Sequence, residues 1–467
     1  MGKNRGRILL IYPPSPVLNR EDRCQQPTKE LLVIPPLPPT DLMYLAAVAE
    51  SEGFEAKIAD YSQGGNFEED LRNFNPDYLL VNVATPTFKT DIEAFTIAKE
   101  ICPDITTIAK GAAFLTLASE AMYFAKELDY IIYGEPEETF RELIIGVAPY
   151  RILGLYYRDD IRVKFSGARP FIKDLDSLPF PARHLVDNSI YRRPDTNEVQ
   201  AVIKVSRGCP FHCFFCLATP VSGAEVRKRS PQNIVDEIKE CIEKYNIKNF
   251  LFWSDIFNID KKWVMELCRL IIDNGLNITW SANTRADTAD EEMAEMMYRA
   301  GCRLVSIGVE SGSQEMLDKI GKKITLDDVR LTVKIFKKFG IRIYNYFVIG
   351  LPWETKDTVE DTIDFAIELD SDFISFYTAT PLPGTKFYEY AKENKLLNSD
   401  TSFKSAYFYP SVNTHSLTKD EVFELHKKAL KKFYLRPSYI IKMLMKIKTK
   451  TEFINYFKAG MNLLLRR

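Results

Sequence analysis

Three cysteines fall within eight residues of "SRGCPFHCFFCLA" (Ser206–Ala218): Cys209, Cys213 and Cys216. Thiols this close can form disulfides, hold zinc or hold an iron–sulfur cluster. A chain of 467 residues builds an ordinary core without covalent staples. Its opening, Met1–Arg7 and then a five-residue apolar run ending at Pro13-Pro14, lacks the length and flanks of a secretory signal. No uncharged apolar run approaches the roughly 18 residues of a membrane span. The expected setting is a reducing cytoplasm, where clustered thiols favour metal or redox chemistry. A structural zinc site takes four ligands, usually as two separated pairs. No second CxxC is present, and Cys24, Cys102, Cys241, Cys268 and Cys302 occur singly; the last four read as small buried hydrophobes. His212 inside the loop keeps zinc open as a reading. Three thiolates suit an iron–sulfur cube better, and they leave one iron free for a further ligand.

Those thiolates must be positioned by the segments around them, which alternate regularly. "AVIKVSRG" (Ala201–Gly208) is apolar, β-branched and ends at the cysteine loop. "KNFLFWSD", "NITWSANTR", "RLVSIGVES", "IRIYNYFVIG" and "DFISFYTATP" follow in turn the helical stretches Pro231–Tyr245, Lys261–Asn274, Asp290–Ala300, Leu326–Phe339 and Thr358–Leu369. Nearly continuous apolar strands between amphipathic helices read as parallel strands buried on both faces. Six such units predict a partial barrel whose site lies at the strands' C-terminal ends. Ser254 and Asp255 close the second strand, Asn283 and Arg285 the third, Glu310 and Ser311 the fourth. Asp, Asn and Ser are common turn and cap residues. Arg285 and Glu310 are not, and all six fall at equivalent ends. Tyr344, Tyr346, Tyr377 and Thr378 sit on later strands, either facing a substrate or within the core.

The N-terminal part alternates too, through "RILLIY", "EAKIADY", "DYLLVNVA", "TTIAKG" and "DYIIYGE", with helices over Thr40–Ser51, Lys89–Ile101 and Leu115–Lys126. Five β/α units predict an open doubly wound parallel sheet that binds ligands at its C-terminal edge. "YPPSP" follows the first strand, not a glycine-rich phosphate loop, which argues against nucleotide binding there. "GLYYRDDIRVKFSG" (Gly154–Gly167) reads as a hairpin between the domains. The expected architecture is α/β. It comprises a doubly wound domain over 1–150, a hairpin and linker over 151–195, a partial (βα)6 barrel over 196–391 and a basic helical region over 392–467.

Cys209-x3-Cys213-x2-Cys216, with aromatic Phe215 before the last cysteine, resembles the signature of radical S-adenosylmethionine enzymes. The resemblance implies that the three thiolates hold a [4Fe–4S] cluster, that S-adenosylmethionine chelates the fourth iron and that Phe215 packs near its adenine. It further implies that Ser254 and Asp255 face the methionyl amine, with Asn283, Arg285, Glu310 and Ser311 around the carboxylate and ribose. The first domain is similar to the cobalamin-binding domain that precedes the barrel in a large branch of these enzymes. The matching pieces are Pro35–Phe54, Val81–Phe88, Lys110–Thr116 and Gly134–Phe140; Asp174–Asp187 resembles the linker. Cobalamin contacts are implied at Thr85, Gly111, Thr116, Gly134 and Glu135. All four histidines, His184, His212, His415 and His426, lie outside that domain, so it offers cobalt no imidazole. The implied activity is cobalamin-dependent C-methylation of an unactivated carbon on a small-molecule substrate, with ferredoxin or flavodoxin as electron donor. Radical C–C bond formation or cyclisation without methyl transfer is the alternative within this architecture. A non-enzymatic zinc- or cobalamin-binding module is the alternative outside it.

From His426 to Arg467 the chain carries twelve Lys and Arg against one acid, Glu452, while the whole chain is only −2. Phe453, Ile454, Phe457, Met461 and Leu464 recur there at helical spacing. The first expectation is a terminal helix packing this face on the barrel. The alternative is a basic face on anionic lipid, giving peripheral contact with the inner membrane surface and a lipid-like substrate. The tail lacks interleaved base-stacking aromatics and the body is acidic, which points away from nucleic acid.

Overall fold

A computed structural model of the chain describes residues 5–14, 18–21, 24–27, 36–193, 195–397, 412–447 and 449–465. Pro35, the first residue of the cobalamin-like stretch, and the side chain of Leu464 lie outside the described parts.

The first domain is built on β1 (Arg7–Tyr12), β4 (Glu55–Asp60), β5 (Tyr78–Asn82), β6 (Thr106–Lys110) and β7 (Tyr130–Ile132), after a separate ribbon of β2 (Leu18–Glu21) and β3 (Cys24–Pro27). These five strands are parallel in the order β4-β1-β5-β6-β7. Alternation along β1 decides the layering. Ile8 and Leu10 pack with helices Thr40–Ser51 and Glu137–Ile144, whereas Leu9 and Ile11 pack with Phe67–Phe74, Phe88–Ile101 and Phe114–Phe124. Both faces are thus covered, as a doubly wound sheet requires. The hairpin expected between the domains is β8 (Leu155–Asp159) and β9 (Arg162–Phe165), and it extends this sheet antiparallel from β7.

The second sheet contains β10 (Gln200–Lys204), β13 (Asn249–Trp253), β14 (Thr279–Thr284), β15 (Cys302–Glu310), β16 (Arg342–Ile349) and β17 (Phe373–Thr378), all parallel and in sequence order. A small ribbon of β11 (Ser206–Arg207) and β12 (Arg227–Lys228) flanks the cysteine loop. Phe250, Phe252, Trp280, Ala282, Val305, Ile307, Ile343 and Phe347 face the outer helices in one continuous core. The opposite set, including Leu251, Trp253, Ser281, Asn283, Leu304, Ser306, Tyr344, Tyr346 and Tyr377, lines a single cavity of about 760 Å³. One face of six strands can enclose one cavity only if the sheet curves, so this is a partial barrel. Ser230, Asp260, Asp290, Thr325 and Thr355 cap the N-termini of the crossover helices.

Helix Lys419–Tyr434 runs along β17, from Val422 beside Gly350 past His426 at Phe376 O, and helices Pro437–Lys446 and Lys450–Leu465 close the end where the strands begin. The Tyr434 hydroxyl donates to Ile374 O and accepts from Ile374 N, Tyr439 donates to Asp372 O, and the Tyr456 ring stacks on Phe373. Lys428 and Lys432 pair with Glu360 and Asp364, Arg436 and Lys442 with Asp370, and Lys446 with Asp372. Much of the tail's charge is thereby matched to the acidic barrel. The expected packing of the last helix differs: Phe453, Ile454, Phe457 and Met461 are exposed, while Tyr456 supplies the contact. Of the single cysteines expected in the core, Cys241, Cys268 and Cys302 are fully buried and Cys102 only partly so.

Candidate active site

The cysteine loop leaves the end of β11 through Gly208, whose φ is +101° and where a Cβ would lie 1.9 Å from Glu225 O. Only glycine fits this approach. Asp255, at the end of β13, accepts the Gly208 N–H at 2.7 Å; Cys209 N donates to Gly223 O, and the Thr219 hydroxyl donates to Cys209 O and Phe211 O. Phe214 N donates to Ile320 O, and Phe387 N donates to Phe214 O. The loop is therefore pinned to four neighbouring elements. Cys209 is buried, Cys213 and Cys216 partly so, and burial pushes the Cys209 thiol above its ordinary range, with Asp255 and Cys213 adding to the effect. Among the described residues no three His, Cys, Asp or Glu side chains converge on a single-ion site. Three soft ligands on one pinned loop are the donor set that an iron–sulfur cube takes.

The structure brings most strand-end candidates around this loop, in different roles. Phe215, Cys216, Asn283 and Glu310 line the cavity, together with Tyr344, Tyr346, Tyr377 and Thr378. Glu310 turns the chain at φ +70°, which a non-glycine residue adopts only when its surroundings hold it. The Lys322 ammonium does so, 2.7 Å from Glu310 Oε1. Burial acts to lower the Lys322 pKa, yet the Glu310 carboxylate leaves it above the ordinary lysine range. Arg285 stacks on Phe211, 3.6 Å from the ring centroid, donates to Lys323 O and Lys322 O, and pairs with Asp287. Ser254 is fully buried and its hydroxyl makes no hydrogen bond. Ser311 points away from the cavity: its hydroxyl sits 3.1 Å from Thr362 Oγ1 on the helix Lys356–Glu368. Lys322 had no legible signal, since "GKKIT" (Gly321–Thr325) reads as a solvated basic turn.

The first domain turns its C-terminal edge toward the same end of the barrel. Thr85, Gly111 and Gly134 follow β5, β6 and β7, and Leu115 and Thr116 face Gly384 across the boundary. Ala112, Leu217 and Leu382 form an apolar contact there. Gly134 is exposed with no atom within 4 Å of where a Cβ would stand, and Thr116 is exposed, so this stretch of the edge is open. Gly111 answers a different need, because a Cβ would lie 2.0 Å from Val83 O. The Glu135 carboxylate is engaged with Arg227, at 2.8 and 2.9 Å, and with Ile172 N, while Arg207 bonds Glu137 at 2.6 Å. Burial opposes both charges of that last pair. Each partner overcomes it for the other, so Glu137 lies below and Arg207 above its ordinary range.

Similarity to known proteins follows the same division. Residues 203–366 match the radical SAM superfamily, and residues 35–144 match the B12 binding domain. An uncharacterized methyltransferase of Pyrococcus horikoshii is 33% identical over 89% of this chain and 94% of its own length. The chain belongs to the radical SAM superfamily. An anaerobic magnesium-protoporphyrin IX monomethyl ester cyclase of Cereibacter sphaeroides is 24% identical to this radical SAM protein over 85% of the chain and 67% of the cyclase. The fold is shared with the radical S-adenosylmethionine methyltransferase TsrM of Kitasatospora setae, solved with cobalamin and a [4Fe–4S] cluster bound. Its TM-score is 0.71 at 18% identity, over 93% of this chain and 90% of that one. The radical SAM protein is thus an enzyme of the cobalamin-dependent methyltransferase branch, and its cofactors are a [4Fe–4S] cluster, S-adenosylmethionine and cobalamin. Among the described residues no helix is long and apolar enough to cross a membrane.

Proposed function

We propose that this enzyme methylates an unactivated carbon of a lipid-like substrate. The observation that carries the reading is the cavity. It runs from Cys216, Glu310 and Thr378 at the strands' C-terminal ends to Phe373 and Tyr456 where the strands begin, and its walls are mostly aliphatic and aromatic. Cys209, Cys213 and Cys216 would hold the cluster. Phe215, Ser254, Asp255, Asn283, Arg285 and Glu310 would surround S-adenosylmethionine, with Asp255 acting through the loop it fixes and Ser311 through the helix it meets. Thr85, Gly111, Thr116 and Gly134 would border cobalamin, and Glu135 would clamp that border to the barrel. Bound together, these groups supply one-electron cleavage of S-adenosylmethionine and methyl delivery to carbon.

The protein's own part is to bind, orient and exclude water. The Tyr344 hydroxyl is 2.7 Å from Ser375 Oγ and the Tyr346 hydroxyl 3.2 Å from Ser306 Oγ, so both rings are fixed as walls and neither is offered as a base. A ferredoxin or flavodoxin would supply the electron, and the tail would keep the enzyme in peripheral contact with the membrane. Carbon–carbon bond formation or cyclisation without methyl transfer is the second reading, favoured by the likeness to the cyclase.

The two readings part on one label. Reduced, reconstituted enzyme is incubated with S-adenosylmethionine deuterated in its methyl group and a membrane lipid extract, and the products are read by mass spectrometry. Methylation places three deuteriums in an apolar product. A new apolar product without the label overturns methyl transfer, and label confined to water-soluble products overturns the lipid-like substrate.

A further inference from the structure

The cavity has its outer end between the last two helices, at the end of the barrel opposite the cysteine loop. Helix Pro437–Lys446 lays Tyr439 and Met443 on the barrel and turns Ile440, Leu444 and Met445 outward. Leu444 is 53% and Met445 77% exposed. Helix Lys450–Leu465 presents Phe453, 49% exposed, Phe457, 61% exposed, and Met461 on the adjoining side. The Phe453 and Phe457 rings stack, with centroids 6.2 Å apart. Ile440, Leu444, Phe453, Phe457 and Met461 also line the cavity. Apolar side chains therefore run from solvent to the interior on the side of these helices, past the Arg193–Asp195 pair that also lines the cavity. A run of large exposed side chains of this kind on consecutive helices marks an interaction surface.

We propose that these two helices form the substrate entrance and dock it on a lipid bilayer, with cofactors and substrate approaching the barrel from opposite ends. The proposal rests on the lipid-like substrate reading and adds the route and the docking face. Two observations favour a bilayer as the occupant over a second copy of the chain. The ridge borders the cavity's outer end, which a second copy would seal and a bilayer would supply. Beside it, Lys450 and Lys458 are exposed and Glu452 is the one acid of that helix, so cations stand next to the apolar ridge where headgroups would meet it. Five other cations of the tail, Lys428, Lys432, Arg436, Lys442 and Lys446, are held by Glu360, Asp364, Asp370 and Asp372, so the contact is apolar in the main. From Phe373 to Thr378 the strand advances about 17 Å at ~3.3 Å per residue. A substrate entering here needs an apolar arm of that reach to bring its target carbon to the cysteine end.

Vesicle flotation of the full-length reconstituted protein tests this, with neutral phosphatidylcholine and with added phosphatidylglycerol, at low and high salt. The expected result is binding to both vesicle types that survives high salt and falls at least tenfold in Leu444→Glu and in Phe457→Glu. Leu331→Glu, on an exposed site of the helix Leu326–Lys338, should bind like the parent. Absence of flotation with either vesicle overturns docking, as does binding that high salt abolishes and the ridge variants retain. A concentration-dependent dimer that Phe457→Glu dissociates, without flotation, assigns the ridge to a second copy and also overturns it. Uptake of a dodecyl-linked dye without vesicles, blocked by filling the cavity in Val348→Trp, separates the two layers. Dye uptake without flotation sinks docking alone, and failure of both sinks the lipid-like substrate with it.

Discussion

At the C-terminal edge of the first sheet, the largely covered Asp41 carboxylate accepts from the Tyr12 hydroxyl at 2.7 Å, from Asn82 Nδ2 at 2.5 Å and from the Lys110 ammonium; past the end of β16 in the barrel, the fully buried Glu354 has only the N–H groups of Gly350 and Leu351. Burial raises both carboxyls, but Lys110 and Lys204 reverse it at Asp41, which is held at about 2, whereas Glu354 stays near 7. The difference follows from sheet shape. An open sheet covered by helices on both faces offers ligands only its edge, so polar groups converge there and satisfy one another. A curved sheet offers its concave face as well, and the aromatic walls of that face leave the polar work to a few groups at the rim.

Removing a cluster thiol should break the barrel's side of this comparison outright. Cys213→Ala is expected to drop anaerobically reconstituted iron from about four per chain to below one, with loss of S-adenosylmethionine cleavage, while visible absorbance still shows cobalamin bound. Loss of both cofactors would show that the two ends do not bind independently.

The clamp between the two ends comes next. Arg207→Met leaves Glu137 buried without its cation, at a cost of about 3–5 kcal/mol in urea unfolding. Adding Glu137→Gln should recover part of that loss. If Arg207→Met unfolds like the parent, the domains are held by the Ala112–Leu217–Leu382 contact instead.

Glu354→Gln and Asp41→Asn sharpen the contrast in opposite directions. The Glu354 pKa is higher folded than unfolded, so its stabilisation is full below the ordinary glutamate range and is lost as pH rises through about 7. Glu354→Gln should gain on the parent by up to about 3 kcal/mol between pH 5 and pH 8. The Asp41 pKa is lower folded than unfolded, so its stabilisation is present above the ordinary aspartate range and is lost as pH falls toward 2. Asp41→Asn should flatten the acid limb by about 2 kcal/mol. Unfolding curves of both variants across pH 2–8 give the two slopes, and slopes of the same sign would remove the distinction.

What could be read from residue order was whatever repeats at short range. The period of two along the strands and the 3.6 period of the crossover helices gave both parallel sheets. The eight-residue cysteine spacing gave the thiol cluster. The short helices Phe67–Phe74 and Glu137–Ile144 and the β2–β3 ribbon went unread, because each is too brief to establish a period. At the site, Asn283 and Glu310 were legible from equivalent strand ends. Ser311 was legible only as a position, since its turn toward Thr362 depends on a helix about fifty residues on.

The sequence by itself determined that this chain is two β/α domains in tandem, with a three-thiolate loop opening the second and no imidazole in the first. These are properties of local pattern and composition, and local pattern is what a linear chain displays. Tertiary structure decided that the second sheet curls around an apolar cavity, that Glu135 and Glu137 meet Arg227 and Arg207 across the domain boundary, and that the basic tail docks on Asp370 and Asp372 while leaving Leu444, Phe453 and Phe457 outside. Each is a contact between residues far apart in the chain. Which side of an amphipathic helix is covered depends on the surface it meets, and no residue of the helix carries that information alone.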